Sequence, residues 1–319
     1  MTLPYDKNAA VIVLPAAAIR QIADAGLRKW LLRGAFSQFE RPRECLQAVL
    51  SQLNQQYETD GLAALRMWGQ TGDRPTVWIA AADPVYLEPR LDHLCLHALQ
   101  DSALSPSELG VLFDYLQERL AGHERYGFAR IGAYGYIRAN TPMPTSELPA
   151  CVIDHELPND YLPVDVSGSY HSLRGEVEMA VHDHDVNLER QSKGQPPVNS
   201  LWLWGGGFAP EQETVPQPPL FAENPMLRGY WFSKTGVVAD WPGSIEECLE
   251  SSVAGFVAQP RPGGSGWLER LLSELQLALK SRRLSAVTLL TGREAALRLE
   301  RPRNWQIWRQ DNNLFGKDD

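Results

Sequence analysis

Residues 173–207 read LRGEVEMAVHDHDVNLERQSKGQPPVNSLWLWGGG, and this stretch is the least generic part of the chain. Leu173, Val177 and Val181 recur at helical spacing, which predicts an amphipathic helix. The break at 194–197, Gly-Gln-Pro-Pro, ends that helix. An apolar run then predicts a strand with Trp202 and Trp204 on one face, followed by three glycines. The unit is therefore a helix, a break and a strand.

Within the predicted helix, Asn187, Arg190 and Lys193 recur every three residues and share one flank. A guanidinium beside an amide suits a carboxylate or a phosphate. His184 can join them by hydrogen bonding to a ligand through its imidazole. The alternative is a set of surface charges paired with Glu189 and its neighbours.

The repeat His182-Asp183-His184-Asp185 invites comparison with a metal site. Residues two apart on a helix point about 200° apart, so the two imidazoles do not face one ion. The i, i+4 spacing of a zinc helix is absent. We interpret the repeat as a solvated polar face and predict no metal ligands.

Gly205, Gly206 and Gly207 follow the predicted strand, where exposed amides can form an anion-binding nest. No Lys-Ser/Thr pair follows them, which excludes a Walker loop. A turn that needs positive φ explains at least one of these glycines.

The rest of the chain alternates predicted strands and helices. Strands are predicted at 10–14, 76–81 and 229–238, and Asp83-Pro84 ends the second of them. A helix at 108–121, with Ser105 or Ser107 as its N-cap, precedes a hairpin or two short strands at 126–139. Helices at 245–257 and 267–280 precede a terminal hairpin around Thr291-Gly292. This alternation is typical of the α/β class.

Composition excludes several partners. The chain has 319 residues, a net charge of −9 and 44% apolar residues, so it can bury a core and has no overall basic field for nucleic acid or an anionic membrane. The apolar run at 9–18 is too short to span a bilayer and lacks a basic leader, which predicts a cytoplasmic protein. Four scattered cysteines favour reduced thiols. The stretch 261–309 is locally basic, either as a solvated face or as a surface for an anionic ligand.

The positions of the histidines bear on catalysis. A two-metal phosphotransfer site usually combines carboxylates with imidazoles. All seven histidines precede residue 185, and none has ligand spacing: 93, 97, 123, 155, 171, 182 and 184. Asp154-His155-Glu156 is the compact trio, in a region predicted as a loop. The sequence by itself identifies no catalytic residue.

Residues 184–207 resemble a segment of the archaeal-type, cofactor-independent phosphoglycerate mutases. The matching positions are His184, Val186, Asn187, Arg190, Gly194, Pro197, Asn199, Trp204, Gly205 and Gly207. The chain as a whole more closely resembles the bacterial RpfE-type regulatory proteins, through WIAAADPVYL at 78–87 and WQIWR at 305–309.

The mutase resemblance implies an alkaline-phosphatase-like α/β fold with a mixed sheet flanked by helices, two divalent metals, usually manganese, and a phosphorylated serine. No Asp-Gly follows the first strand and no late Asp-His pair is present. We therefore expect a reduced, non-catalytic relative without a cofactor, which binds a phosphorylated or carboxylated small molecule and acts in regulation. The alternatives are an active manganese-dependent mutase or phosphatase, and an interaction scaffold with an unknown protein partner.

The predicted ligand-binding residues are His184, Asn187, Arg190, Asn199, Gly205, Gly206 and Gly207. We expect an N-terminal α/β part at 1–165, a mutase-like segment at 166–262, and a C-terminal helix plus hairpin at 263–319, folded into one or two compact domains.

Overall fold

The computed structural model describes residues 6–15, 18–99, 104–121, 125–252 and 255–301. In these ranges the strands are β1 (Ala9–Leu14), β2 (Ala35–Gln38), β3 (Ile79–Pro89), β4 (Leu94–Ala98), β5 (Tyr126–Ile131), β6 (Tyr134–Ala139), β7 (Ser200–Gly207), β8 (Leu220–Phe221), β9 (Val238–Ala239), β10 (Val257–Ala258), β11 (Ala286–Thr291) and β12 (Ala295–Glu300). The α-helices are α1 (Ala25–Leu31), α2 (Cys45–Gln52), α3 (Leu62–Thr71), α4 (Pro106–Leu120), α5 (Ser169–Val181), α6 (Asp185–Ser192), α7 (Pro225–Ser233), α8 (Ile245–Ser251) and α9 (Trp267–Lys280).

The chain divides into two compact units. One combines residues 1–57 with 212–319, and the other is formed by residues 58–211. The predicted segment boundary at 165 lies inside the second unit, and the boundary at 262 lies inside the first. The three-segment division stays a prediction.

The first unit, called the parallel-sheet unit below, is built on a sheet of order β2-β12-β11-β1-β10-β8-β9. The five strands from β11 to β9 in this order run parallel, and β12 and β2 are antiparallel to their neighbours. Ala10, Ile12 and Leu14 of β1 are buried in one core with α1, α8 and α9. The central strand reads AAVIVL and is buried on both faces, as its continuous apolar run predicts.

The second unit, called the antiparallel-sheet unit, is built on β3. This long strand pairs antiparallel with β4 and β6 along one side and with β7 along the other, and β5 continues the sheet beyond β6. Leu112 and Phe113 of α4 and Leu173 and Val177 of α5 belong to the core that covers this sheet. Together, the two units confirm the predicted α/β class with a mixed sheet and flanking helices. No helix in the described ranges has the length and hydropathy needed to cross a bilayer.

Three local predictions are wrong, each for an identifiable reason. The segment 229–238, predicted as a strand, begins in α7, because the side chain of Asn224 accepts hydrogen bonds from two backbone amides of the first turn and Pro225 is compatible with that turn. β3 does not end at Asp83-Pro84. Proline lacks a donor but keeps its acceptor, and the Pro84 carbonyl accepts a hydrogen bond from the Leu99 amide at 3.1 Å.

The third correction concerns the opening stretch. Its single predicted helix is two helices, α5 and α6, with a break at residues 182–184. The extended backbone of His184 starts α6, and its Nδ1 accepts a hydrogen bond from the amide of Val186 at 3.2 Å. An N-cap side chain that takes one of the first helical amides is a physical reason for a new helix to begin there.

Candidate functional site

Asn187 is the structural centre of the predicted ligand segment. Its side chain is 1% exposed. Nδ2 donates to the carbonyls of Val181 at 2.6 Å and Val198 at 2.8 Å, and Oδ1 accepts from the amide of Val198 at 2.8 Å. Both amide hydrogens of the side chain are therefore used, and they join the end of α5 to Val198, two residues before β7.

Arg190 is equally buried. Nε donates to the carbonyl of Pro196 at 2.9 Å, and Nη1 lies 3.0 Å from Oε1 of Glu108 on α4. Nη2 is buried and has no hydrogen-bond partner among the residues that the structure describes. Burial alone would raise the pKa of Glu108, but hydrogen bonds from Ser105 and Arg190 lower it below its usual range. Arg190 thus connects α6 to α4 through an ion pair and to the Pro-Pro turn through a hydrogen bond.

The other polar residues of the segment divide between the fold and the surface. Asn199 accepts from the amide of Leu87 at 2.7 Å and donates to its carbonyl at 2.9 Å, which extends the contact between β7 and β3. The exposed Lys193 pairs with Glu189 at 2.6 Å, as the surface-charge alternative predicts. The ring of His184 lies 4.5 Å from that of Tyr115, centroid to centroid. Ligand binding by this segment stays a prediction.

The glycine run permits close packing between β7 and the start of α3. Gly205 has φ +60°, and a Cβ added there would lie 2.9 Å from Cβ of Leu62. The amides of Gly205 and Gly206 donate to the Ser146 carbonyl at 2.8 Å and to Oγ1 of Thr145 at 2.9 Å. These two amides bond within the protein. Gly205 has the predicted positive φ, but it lies inside β7 and not in a turn.

A cleft of about 350 Å³ opens beside Gly206. Its lining combines hydroxyl, carboxylate and apolar groups: Thr59, Asp60, Trp78, Pro142, Met143, Pro144, Thr145, Ser146 and Glu147. Of the described residues that line this cleft, two are carboxylates and none is basic, which makes its electrostatics unfavourable for an anion.

A buried polar network, which the sequence did not reveal, connects α3 to the centre of the sheet. Asp83 is fully buried; its Oδ1 lies 3.4 Å from Nη1 of Arg66 and its Oδ2 accepts from Nε1 of Trp204 at 2.6 Å. Nε of Arg66 donates to the hydroxyl of Tyr136 at 3.0 Å. Burial raises the pKa of Asp83, and the Arg66 guanidinium offsets part of that rise. The signal in the sequence is an Asp-Pro pair inside an apolar run, a pattern that by itself predicts the end of a strand.

In open α/β sheets, ligands bind beyond the carboxyl ends of the parallel strands. In the parallel-sheet unit, β8 leads to Glu223, β9 to Asp240 and β10 to Arg261. These residues and Arg228 of α7 are called the carboxyl edge below. Arg261 forms an ion pair with Glu223, and Nη1 of Arg228 lies 2.6 Å from Oδ1 of Asp240. Each carboxylate is paired with an arginine.

The metals implied by the mutase resemblance can be tested against this edge. Residues 1–57 and 212–319 contain no histidine, and alanines occupy positions 16–18 after β1. A pair of divalent ions needs several anionic or imidazole ligands, and a guanidinium beside each carboxylate repels a cation. The residues at the carboxyl edge do not fit a two-metal centre.

The chain is similar in sequence to known proteins over part of its length. No protein-family model matches it. A stretch of 114 residues is 32% identical to the 2,3-bisphosphoglycerate-independent phosphoglycerate mutase of Methanosarcina acetivorans and covers 35% of this chain and 29% of that enzyme. The enzyme of the same name from Methanosarcina mazei is 31% identical over 137 residues, which is 41% of this chain and 34% of the enzyme. The chain thus spans about a third of the length of the curated relatives that it matches.

Solved structures resemble the chain more distantly. A cofactor-independent phosphoglycerate mutase from Thermoplasma acidophilum aligns over 98% of this chain and 95% of its own, with 17% identity and a TM-score of 0.43. A protein from Pyrococcus horikoshii aligns over 93% and 88%, with 12% identity and a TM-score of 0.48. The relationship established by sequence is therefore that about a third of this chain is similar to archaeal-type, cofactor-independent phosphoglycerate mutases.

Proposed function

We propose that this protein is a non-catalytic relative of the phosphoglycerate mutases, which binds a phosphorylated or carboxylated small molecule in a regulatory role of the RpfE type. One observation carries the proposal. At the carboxyl edge of the parallel sheet, Glu223 and Asp240 are each paired with an arginine, and the unit that holds them contains no histidine.

Charge determines which ions the carboxyl edge attracts. A carboxylate that coordinates a divalent ion contributes negative charge to the site, and an adjacent guanidinium cancels that charge. Arg261 and Arg228 therefore make the edge less attractive to manganese than unpaired acids would. The side chains at this edge therefore do not form the two-metal site that would supply the chemistry of phosphoryl transfer.

The same arginines suit an anion. A guanidinium presents donors in a fork that matches a phosphate or a carboxylate, and it keeps its charge at every physiological pH. The side chain of Arg261 is 70% exposed, so a ligand can reach it by replacing Glu223 as its partner. Arg228 is less exposed and also donates to the Ala222 carbonyl at 3.3 Å, which holds its guanidinium beside the strand end.

Isothermal titration with 3-phosphoglycerate in the presence of a chelator tests this proposal. We expect saturable heat with the full chain, and a loss of affinity of roughly 10–100-fold in Arg261→Ala, since a charged hydrogen bond contributes about 1.5–3 kcal/mol. Arg298→Ala is the matched control, because Arg298 forms a comparable exposed pair with Glu300 on β12. Arg298→Ala should bind like the unmodified protein.

Two outcomes would overturn the proposal. Absence of heat with 3-phosphoglycerate and with inorganic phosphate would remove the anionic ligand. Unchanged affinity in Arg261→Ala, together with lost affinity in Arg190→Ala, would move the site to the segment 184–199 and contradict the role of the carboxyl edge.

A further inference from the structure

Two potential metal ligands share one face of the edge strand β4. Cys95 and His97 are two residues apart on this strand, so their side chains point to the same side, while Leu96 between them is fully buried on the other. Cys95 is a free thiol. In the register of the sheet, Glu88 of β3 lies opposite Cys95, and Tyr86 lies opposite His97.

The third potential metal ligand is His155, which lies far from β4 in the sequence. The amide of His155 donates to the Leu96 carbonyl at 2.8 Å, and the Leu96 amide donates to the Glu156 carbonyl at 3.0 Å. Oδ1 of Asp154 accepts from the amide of Ala98 at 2.9 Å. These bonds attach residues 154–156 to β4, and they hold His155 at φ +67°, a left-handed conformation that is uncommon outside glycine.

The three side chains converge. One ligand atom each from Cys95, His97 and His155 lies within 4.8 Å of the others. The imidazole rings of the two histidines meet edge to face, with centroids 4.8 Å apart. Tetrahedral zinc holds sulfur at about 2.3 Å and nitrogen at about 2.0–2.1 Å, which places its ligands roughly 3.3–3.8 Å apart. Small side-chain rotations would close the cluster onto an ion.

Glu88 supplies the support that metal-bound histidines usually have. Its Oε2 lies 2.8 Å from Nε2 of His97 and 2.7 Å from Nη2 of Arg90, so Glu88 orients the imidazole and is not itself counted as a metal ligand. When Nε2 of His97 carries the proton toward Glu88, Nδ1 keeps a lone pair for a metal. A carboxylate behind the imidazole fixes its orientation and increases its basicity.

We propose that Cys95, His97 and His155 bind a zinc ion, with Glu88 as a positioning residue and water in the fourth place. A thiolate with two imidazoles selects zinc over magnesium or manganese, which prefer oxygen ligands. The side chain of His155 is 71% exposed, so the ion and its water have access from solvent. The bound ion would add a cross-link between residues 154–156 and β4 to the hydrogen bonds already there, and would stabilise the antiparallel-sheet unit.

Cobalt(II) titration of the chelator-stripped full chain tests the site directly. We expect a thiolate-to-cobalt charge-transfer band that saturates at about one ion per chain and disappears when zinc is added. Cys95→Ser should abolish the band, and Cys45→Ser, in the other unit, should leave it unchanged. His155→Ala should weaken zinc binding by more than about 100-fold, and Glu88→Gln by about 10–100-fold with the band retained.

A second measurement on the unmodified protein covers variants that fold poorly. Alkylation mapped by mass spectrometry should show that zinc slows modification of Cys95 several-fold and leaves Cys45 unaffected. The proposal is overturned by equal alkylation of Cys95 with and without zinc, by a charge-transfer band that survives Cys95→Ser, or by unchanged zinc affinity in His155→Ala.

Discussion

Arg228 and Asp240 meet at the carboxyl end of the parallel sheet, with Nη1 of Arg228 2.6 Å from Oδ1 of Asp240. Arg228 belongs to α7, and Asp240 directly follows β9, so the pair crosses the rim where ligands of open α/β sheets bind. A carboxylate in this pairing is already neutralised. Because Arg228 neutralises Asp240, the carboxyl edge differs from a rim that binds metal ions. The proposed role, ligand binding without turnover, rests on this difference.

Replacement of Asn187 by alanine should destabilise the protein. The buried side chain makes three hydrogen bonds to backbone groups of Val181 and Val198, and its removal leaves those groups unpaired. A loss of about 2–4 kcal/mol is expected in urea unfolding, since an unsatisfied buried polar group costs about 1–3 kcal/mol. Lys193→Ala, at the exposed C-terminal end of the same helix, should change stability by less than about 0.5 kcal/mol. Equal effects of the two substitutions would refute a structural role for Asn187.

The buried pair of Arg66 and Asp83 should show strong coupling. Asp83→Asn leaves the guanidinium of Arg66 without its counter-charge inside the unit and is expected to cost about 3–5 kcal/mol. The double substitution Arg66→Met with Asp83→Asn should cost less than the sum of the single changes, because it removes both charges. Additive values in denaturant unfolding would show that the two residues act independently.

Glu44 should make stability depend on pH. It caps α2, and its carboxylate accepts from the amide of Leu46 at 2.6 Å. Burial raises its pKa from 4.5 to about 7, and the cap hydrogen bonds only partly oppose that rise. The folded state therefore binds the proton more tightly than the unfolded state does. The stabilising contribution is complete below pH 4.5 and is lost as the pH rises through about 7.

Glu44→Gln should flatten this dependence and exceed the stability of the unmodified protein at alkaline pH, by up to about 3 kcal/mol. The exposed Glu40→Gln serves as the matched control. Thermal unfolding across this pH window gives the comparison. Identical pH slopes for Glu44→Gln and the unmodified protein would contradict the assignment.

The two glycines that border α3 have similar backbone conformations but differ in the space available for a side chain. Gly61 and Gly72 have similar positive φ, +72° and +80°. A Cβ at Gly61 would lie 2.3 Å from the carbonyl oxygen of Phe208, whereas nothing lies within 4 Å of a Cβ at Gly72. Gly72→Ala should cost about 1–2 kcal/mol from backbone strain alone, and Gly61→Ala clearly more. Similar unfolding free energies for the two variants would show that the close approach to Phe208 is relieved without cost.

Sequence reasoning was most successful where the determinants are local. The helix at 106–120 begins at Ser105, which forms a capping box with Glu108, and the leucine spacing of 267–280 gives the observed bounds of α9. The hairpin of β11 and β12 likewise depends on neighbours around Thr291-Gly292. In each case the residues that decide the structure lie within a few positions of one another.

Elements decided by distant contacts could not be predicted in this way. The aromatic run in α7 favoured a strand, but Trp231 is fully buried and its Nε1 donates to the carbonyl of Pro218 at 2.7 Å. Asp154-His155-Glu156 was recognised as a compact trio, yet its pairing with β4 depends on the tertiary fold. WQIWR at 305–309, one of the two stretches that resemble the RpfE-type regulatory proteins, lies outside the described residues. His123 also lies outside them.

The central claim is that this mutase-related chain binds its anion without converting it. The most direct measurement is the formation of 2-phosphoglycerate from 3-phosphoglycerate by the full chain, with added manganese, followed through a coupled assay. We predict a rate equal to that of the protein-free control at every manganese concentration. A saturable rate that increases with protein and requires manganese would contradict the claim and establish a working metal centre.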